Sequence, residues 1–221
     1  MTHTVRPARR GSPRLAWVLP LLAGCGGLGG QPPEQPPVVR GPDGREYRLV
    51  VRGPYRAYYD AGGRLQRIDY DQDGDGRPDH IAHHDGSPTP RLLEVDEDRD
   101  AFVDRWEVYG PDGALLKVGS AARAGGGPSV WTFPGPGGIP ARREHDQDGD
   151  GRPERVEILR EGVLAAVELD LDRDGRIDRW QAWSEGGLVS EEVDTDGDGR
   201  PDVRIRHGRG GATEGAERLR Q

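Results

Sequence analysis

An all-β fold, laid out as a row of 24–25-residue β-hairpins joined by Asp-rich loops, is predicted by three features of the sequence. A nine-residue acidic phrase recurs, as DQDGDGRPD at 71–79, DEDRDAFVD at 96–104, DQDGDGRPE at 146–154, DLDRDGRID at 170–178 and DTDGDGRPD at 194–202. Its starts lie 25, 50, 24 and 24 residues apart, and recurrence at such a period marks a repeat architecture. Ten residues after each start stands Ile81, Trp106, Val156, Trp180 or Arg204, and most of the segments around them alternate apolar and polar residues as half-buried strands do. A glycine-bearing turn and a second alternating segment follow, which is the pattern of a hairpin.

Taken in order, the chain begins with Arg6, Arg9, Arg10 and Arg14, no acid up to residue 24, and a short apolar run at 15–23. A basic flank, a brief apolar stretch and small residues before a cut point describe an export signal over 1–24. Leu22-Ala23-Gly24-Cys25 resembles the lipobox of bacterial lipoproteins, and Cys25 is the only cysteine in the chain. The resemblance implies cleavage before Cys25, its acylation, and attachment to the membrane through a lipid anchor, each buried methylene adding about 0.8 kcal/mol. Gly26 stands where an aspartate would signal inner-membrane retention, which points to the outer membrane. Arginine outnumbers lysine 30 to 1, as in a GC-rich genome. Residues 25–45, rich in Gly and Pro, read as a lipidated Cys followed by a flexible tether.

The repeat domain is expected over 46–210. YRAYYDAGGRLQRIDY at 55–70 is a hairpin without an acidic loop before it, and reads as the first, capping unit. The gap of 50 holds one decayed unit near 121–145: Trp131 and Phe133 keep the apolar columns while the acids are gone. Strands at 105–109 and 179–183 are answered by returning strands at 115–118 and 188–193, and 164–169 is the returning strand of the unit that carries Val156 and Ile158. In the last unit Arg204 and Arg206 occupy the apolar columns, as expected of a terminal repeat that faces water. Residues 211–221 are expected to be a disordered tail. A lone hairpin does not hold in water, so the units must stack, either as an elongated antiparallel sheet or as a β-solenoid. Composition agrees: Leu, Ile, Val and Phe make up under a fifth of the chain, against 35 Gly and 19 Pro, so one large core is excluded. No run of 18 apolar residues exists to cross a membrane, and a single cysteine excludes a disulfide framework.

The acidic phrase carries the chemistry. Acids at positions 1, 3, 5 and 9 with glycine at 6 match the first nine positions of an EF-hand-type loop, where alternate residues of a tight turn direct hard oxygens at one cation. The candidate ligands are Asp71, Asp73, Asp75 and Asp79; Asp96, Asp98, Asp100 and Asp104; Asp146, Asp148, Asp150 and Glu154; Asp170, Asp172, Asp174 and Asp178; and Asp194, Asp196, Asp198 and Asp202. Position 6 calls for positive φ and so for glycine, but the second loop has Ala101. Position 12, the bidentate Glu of a full EF-hand, is supplied only by Glu107 and Glu157. No helix-forming segment flanks any loop, so the phrase resembles the DxDxDG loops of thrombospondin type 3 repeats and other EF-hand-like extracellular repeats. The implied cofactor is Ca²⁺. Abundant, flexible carboxylates favour it over Mg²⁺, and the lack of thiols disfavours zinc.

Charge narrows the partners. Without the four arginines of 1–24 the net charge of −8 becomes −12, which excludes nucleic acid and invites a cation. Tyr59-Asp60-Ala61-Gly62-Gly63-Arg64-Leu65 resembles the YD-repeat motif of Rhs-type proteins, and the alternation of acidic phrase and hairpin is similar to that of repeat lipoproteins of myxobacteria-like bacteria. His80, His83 and His84 cannot share one strand face, so they do not make a zinc site. No nucleophile motif, HExxH or phosphate loop is present. The expectation is a non-enzymatic, calcium-binding repeat lipoprotein with a structural or interaction role in the cell envelope. An adhesin that binds envelope protein or polysaccharide through the Trp106–Trp131–Trp180 column is the alternative, and a calcium-dependent hydrolase a distant third.

Overall fold

A computed structural model of the protein describes residues 36–208 and 210–219. The segment expected to be an export signal, 1–24, with Cys25 and the first part of the expected tether, lies outside the described residues. The rest is a succession of strands: β1 (Val38–Arg40), β2 (Glu46–Arg52), β3 (Tyr55–Tyr59), β4 (Leu65–Tyr70), β5 (His80–His83), β6 (Leu92–Val95), β7 (Arg105–Tyr109) and β8 (Leu115–Ala121). After them come β9 (Pro128–Pro134), β10 (Pro140–His145), β11 (Arg155–Arg160), β12 (Val163–Leu169), β13 (Arg179–Ser184), β14 (Gly187–Val193), β15 (Val203–His207) and β16 (Thr213–Arg218). All 16 form one open antiparallel sheet in strict chain order, so the units stack as an antiparallel sheet.

The turns follow local chemistry. Glu161 and Gly162 sit at φ 52 and 80, and Glu185 and Gly186 at φ 52 and 77, as the two-residue turns of right-twisted hairpins require. In the β3–β4 turn the Asp60 carboxylate accepts from the backbone N–H of Arg64 at 2.9 Å and from its Nε at 2.9 Å.

Because the meander alternates direction, every connection from an even to an odd strand lies at the same end of the strands. Those connections are the β2–β3 link at 53–54, the five acidic loops, and the 122–127 link of the decayed unit. The glycine turns line the other end. Acidic loops of adjacent repeats are two strands apart, roughly 10 Å at the usual strand spacing, and the 96–104 and 146–154 loops, separated by the decayed unit, are four strands apart.

The registers align a row across one face, from Asp69, Ile81, Glu94 and Trp106 through Gly119, Trp131, Glu144 and Val156 to Glu168, Trp180, Glu192 and Arg204. Carboxylates on even strands thus alternate with apolar or aromatic residues on most odd ones. The three tryptophans are half-buried. Gly119 leaves the room that Trp131 fills: a Cβ there would meet Trp131 Cζ3 at 2.9 Å and Pro128 Cβ at 2.8 Å. Lys117 Nζ lies 3.8 Å from the Trp131 ring centroid, which fixes the decayed unit without an acidic loop. With no second layer, the best-buried positions are Val167, Val95 and Val156, at 0%, 3% and 4% exposure. The cross-strand neighbours of Val167 are Glu157 and Gln181.

Two expected boundaries shift. Residues 36–45, assigned to the tether, contain β1 and its turn. The Tyr47 hydroxyl donates to Asp43 at 2.6 Å, so the β1–β2 hairpin, not 55–70, is the first unit. At the far end, 213–218 is strand β16, paired with β15, where a disordered tail was expected. All six of its residues are exposed, and TEGAER has the charged, polar composition that blunts a sheet edge, which conceals its strand character.

Candidate metal centre

Each acidic loop is a self-contained turn built on its first aspartate. Asp71 accepts from the N–H groups of Gly74 and Gly76 at 2.7 and 3.0 Å. Asp96 does the same with Arg99 and Ala101, at 2.7 and 2.8 Å. Asp146, Asp170 and Asp194 repeat the pattern at 2.6–3.0 Å. The position 9 acid closes the loop by accepting from the N–H of position 2, as Asp79 does from Gln72, Asp104 from Glu97, Glu154 from Gln147, Asp178 from Leu171 and Asp202 from Thr195. The loops are also laced together: the N–H of Asp96 donates to the carbonyl of Asp79 at 2.9 Å, and that of Asp194 to the carbonyl of Asp178 at 2.9 Å.

This wiring gathers three carboxylates per loop. Asp71, Asp73 and Asp79 converge, as do Asp96, Asp98 and Asp104; Asp146, Asp148 and Asp150; Asp170, Asp172 and Asp178; and Asp194, Asp196 and Asp202, with one oxygen from each within 4.8 Å of the others in its group. Each of the five triads can hold a metal ion. Two like charges at that distance repel by roughly 1 kcal/mol in a water-like dielectric and more where burial lowers it, and Asp71, Asp79, Asp96 and Asp170 are buried. The strain registers on Asp98. A hydrogen bond from the N–H of Asp100 lowers its pKa, yet desolvation and the charges of Asp100, Asp104 and Asp96 leave it raised. Asp194 goes the other way: burial raises it, and the N–H groups of Gly199, Gly197, Asp196 and Asp198 more than offset that.

Several expected ligands fall outside the triads. At position 5 all five acids accept from the N–H of position 7, at 2.7–2.9 Å; Asp150 also joins its group, while Asp75, Asp100, Asp174 and Asp198 do not. Glu154 is also outside its triad. Glu107 and Glu157 are not ligands in this arrangement. A strand, not a helix, leaves the loop, and three extended residues carry position 12 about 10 Å beyond position 9. Glu107 is bound by Arg105 at 2.5 Å and by the Tyr109 hydroxyl. Glu157 faces Arg155, Arg143 and His145 at 3.0, 3.4 and 3.5 Å. Burial raises the pKa of Glu157, but Arg155, His145 and Arg143 together hold it below the usual range. His80 and His83 fall on opposite faces, with His83 on Glu94 at 2.7 Å, and among the described residues no histidine joins a metal group.

Position 6 behaves as the motif requires. Gly76, Gly151, Gly175 and Gly199 have φ between 86 and 94, and Ala101 is held at φ 76. Position 4 is left-handed as well, which the acidic spacing alone does not reveal; the sequence signal is the recurrent Gly74, Gly149 and Gly197, replaced by Arg99 and Arg173. Ala101→Gly should therefore stabilise the protein by about 0.5–1 kcal/mol, since relief of left-handed strain exceeds the added chain entropy. Gly151→Ala, whose Cβ would touch nothing within 4 Å, should cost about as much through backbone strain alone. Urea midpoints measure both.

The chain matches no protein-family model and no curated protein.

Proposed function

We propose that this protein is a calcium-binding, lipid-anchored repeat protein of the bacterial envelope, non-enzymatic, with a structural or interaction role. The observation that carries it is the in-register line of five Asp triads along one side of a single sheet. Oxygen-only donor sets on flexible loops suit Ca²⁺ better than Mg²⁺, which demands tight octahedral geometry. Three side-chain carboxylates per triad leave room for carbonyl or water ligands and suggest the affinity of extracellular modules, on the order of 10⁻⁴–10⁻³ M. Leu22-Ala23-Gly24-Cys25 supports the lipid anchor and Gly26 the outer membrane, with envelope protein or polysaccharide as the class of partner.

Calorimetric titration of the chelator-treated chain should show about five Ca²⁺ per molecule in that affinity range. Replacing the three triad acids of one loop, as in Asp170→Asn with Asp172→Asn and Asp178→Asn, should remove one ion. An absence of uptake at several millimolar Ca²⁺ would end the calcium assignment. Palmitate labelling in a bacterial host, lost in Cys25→Ser, tests the anchor separately.

A further inference from the structure

The five loops differ at position 4. Three have glycine there, while Arg99 and Arg173 adopt φ 64, a conformation that costs a non-glycine residue about 1 kcal/mol. Both arginines reach back to the preceding loop. Arg99 Nε lies 3.7 Å from Asp79 Oδ1. Arg173 Nη1 lies 3.3 Å from Asp148 Oδ2, and its Nε 3.7 Å from Glu154 Oε1. Asp79 and Asp148 are triad members of the 71–79 and 146–154 loops, and Glu154 Oε1 is buried with no hydrogen bond of its own. The acids of the other three loops receive no arginine from position 4 of a neighbouring loop; Arg176, at position 7, donates to the Gly197 carbonyl of the 194–202 loop at 2.7 Å and not to an acid. The 96–104 loop is followed by the decayed unit and the 170–178 loop by one with Gly197 at position 4; among the described residues the 194–202 loop is followed by strands β15 and β16.

Resting on the calcium assignment above, we propose that Arg99 and Arg173 are built-in counter-cations that guard two of the five sites. The protein then has three open loops and two arginine-guarded loops, and the guarded ones load last. A guanidinium stays charged at any working pH, so it neutralises the acid cluster when calcium is scarce and opposes the incoming ion by competing for its ligands. The two side chains are 44% and 54% exposed, so they can swing into water when displaced. Exposed ion pairs of this kind are weak, which makes the guard surmountable: the guarded sites should bind roughly two- to fivefold more weakly than the open ones.

The test is a calcium titration of the full chain followed by amide NMR, with Gly76 and Gly151 reporting the guarded loops and Gly175 and Gly199 the open ones. In the unaltered protein the first pair should shift at higher calcium than the second. In R99G/R173G, which restores the glycine used in the other loops, both pairs should shift together with stoichiometry unchanged. R99K/R173K, which keeps a cation, should retain the lag. If the pairs move together in the unaltered protein, or the lag survives in R99G/R173G, the guard is refuted while calcium binding stands. If no amide moves in either protein, the calcium assignment fails, and the guard with it.

Discussion

Adding 10 mM Ca²⁺ to the chelator-treated protein should raise its melting midpoint by roughly 15–25 °C. The size follows from linkage. A site with a dissociation constant near 1 mM contributes about 1.4 kcal/mol at that concentration, five sites contribute about 7 kcal/mol, and a domain of this length gains about 2–4 °C per kcal/mol. The physical source is the crowding of carboxylates within 4.8 Å of one another in every loop, which the ion converts from repulsion to attraction. Sodium chloride at matched ionic strength should give a much smaller rise, because it screens without coordinating. An equal rise with both salts would sink the coordination argument.

Acid should erode the calcium effect, since protons compete for the same oxygens. The sign differs among the loop acids. Asp194 and Glu154 have lowered pKa values, so their contribution is present above the ordinary carboxylate range and is lost as pH falls through it. The raised pKa of Asp98 means the opposite: ionised and without metal, it weakens its loop at neutral pH, and acid relieves that cost.

The second large effect concerns the sheet. Val167→Asp should cost at least about 3 kcal/mol, because it buries a charge at a fully buried position and sets it opposite Glu157, which already engages Arg155 and Arg143. A sheet one layer thick cannot spread that loss over a core: each strand is held by its two neighbours, as in other repeat arrays. Stability should therefore fail locally, with hydrogen exchange accelerating in β11, β12 and β13 before the strands near β4. Exchange that rises evenly over all sixteen strands would show that the sheet unfolds as one unit.

How far the sequence could be read depended on whether a residue's role is repeated. The hairpin period, the strands around Trp106, Trp131 and Trp180, and the decayed unit were legible because the same offset recurs within one chain. Strands β1 and β16 were not, since edge strands are short or charged and match no neighbour's pattern. Position 12 misled for a different reason. Glu107 and Glu157 match an EF-hand by spacing, but spacing places a ligand only if the chain leaves the loop as a helix.

From the order of its residues alone this protein was set as a line of Asp-rich turns between paired strands, because alternation and glycine placement act within a few residues of each other. Only the folded sheet decided which oxygens converge, that position 9 joins positions 1 and 3 in four of the triads while only one position 5 acid, Asp150, joins its own, and that Arg99 and Arg173 reach the acids of a neighbouring loop. Those outcomes depend on where backbone N–H groups point and on which loops the strand pairing brings side by side, and neither is encoded by the spacing of acids within one loop.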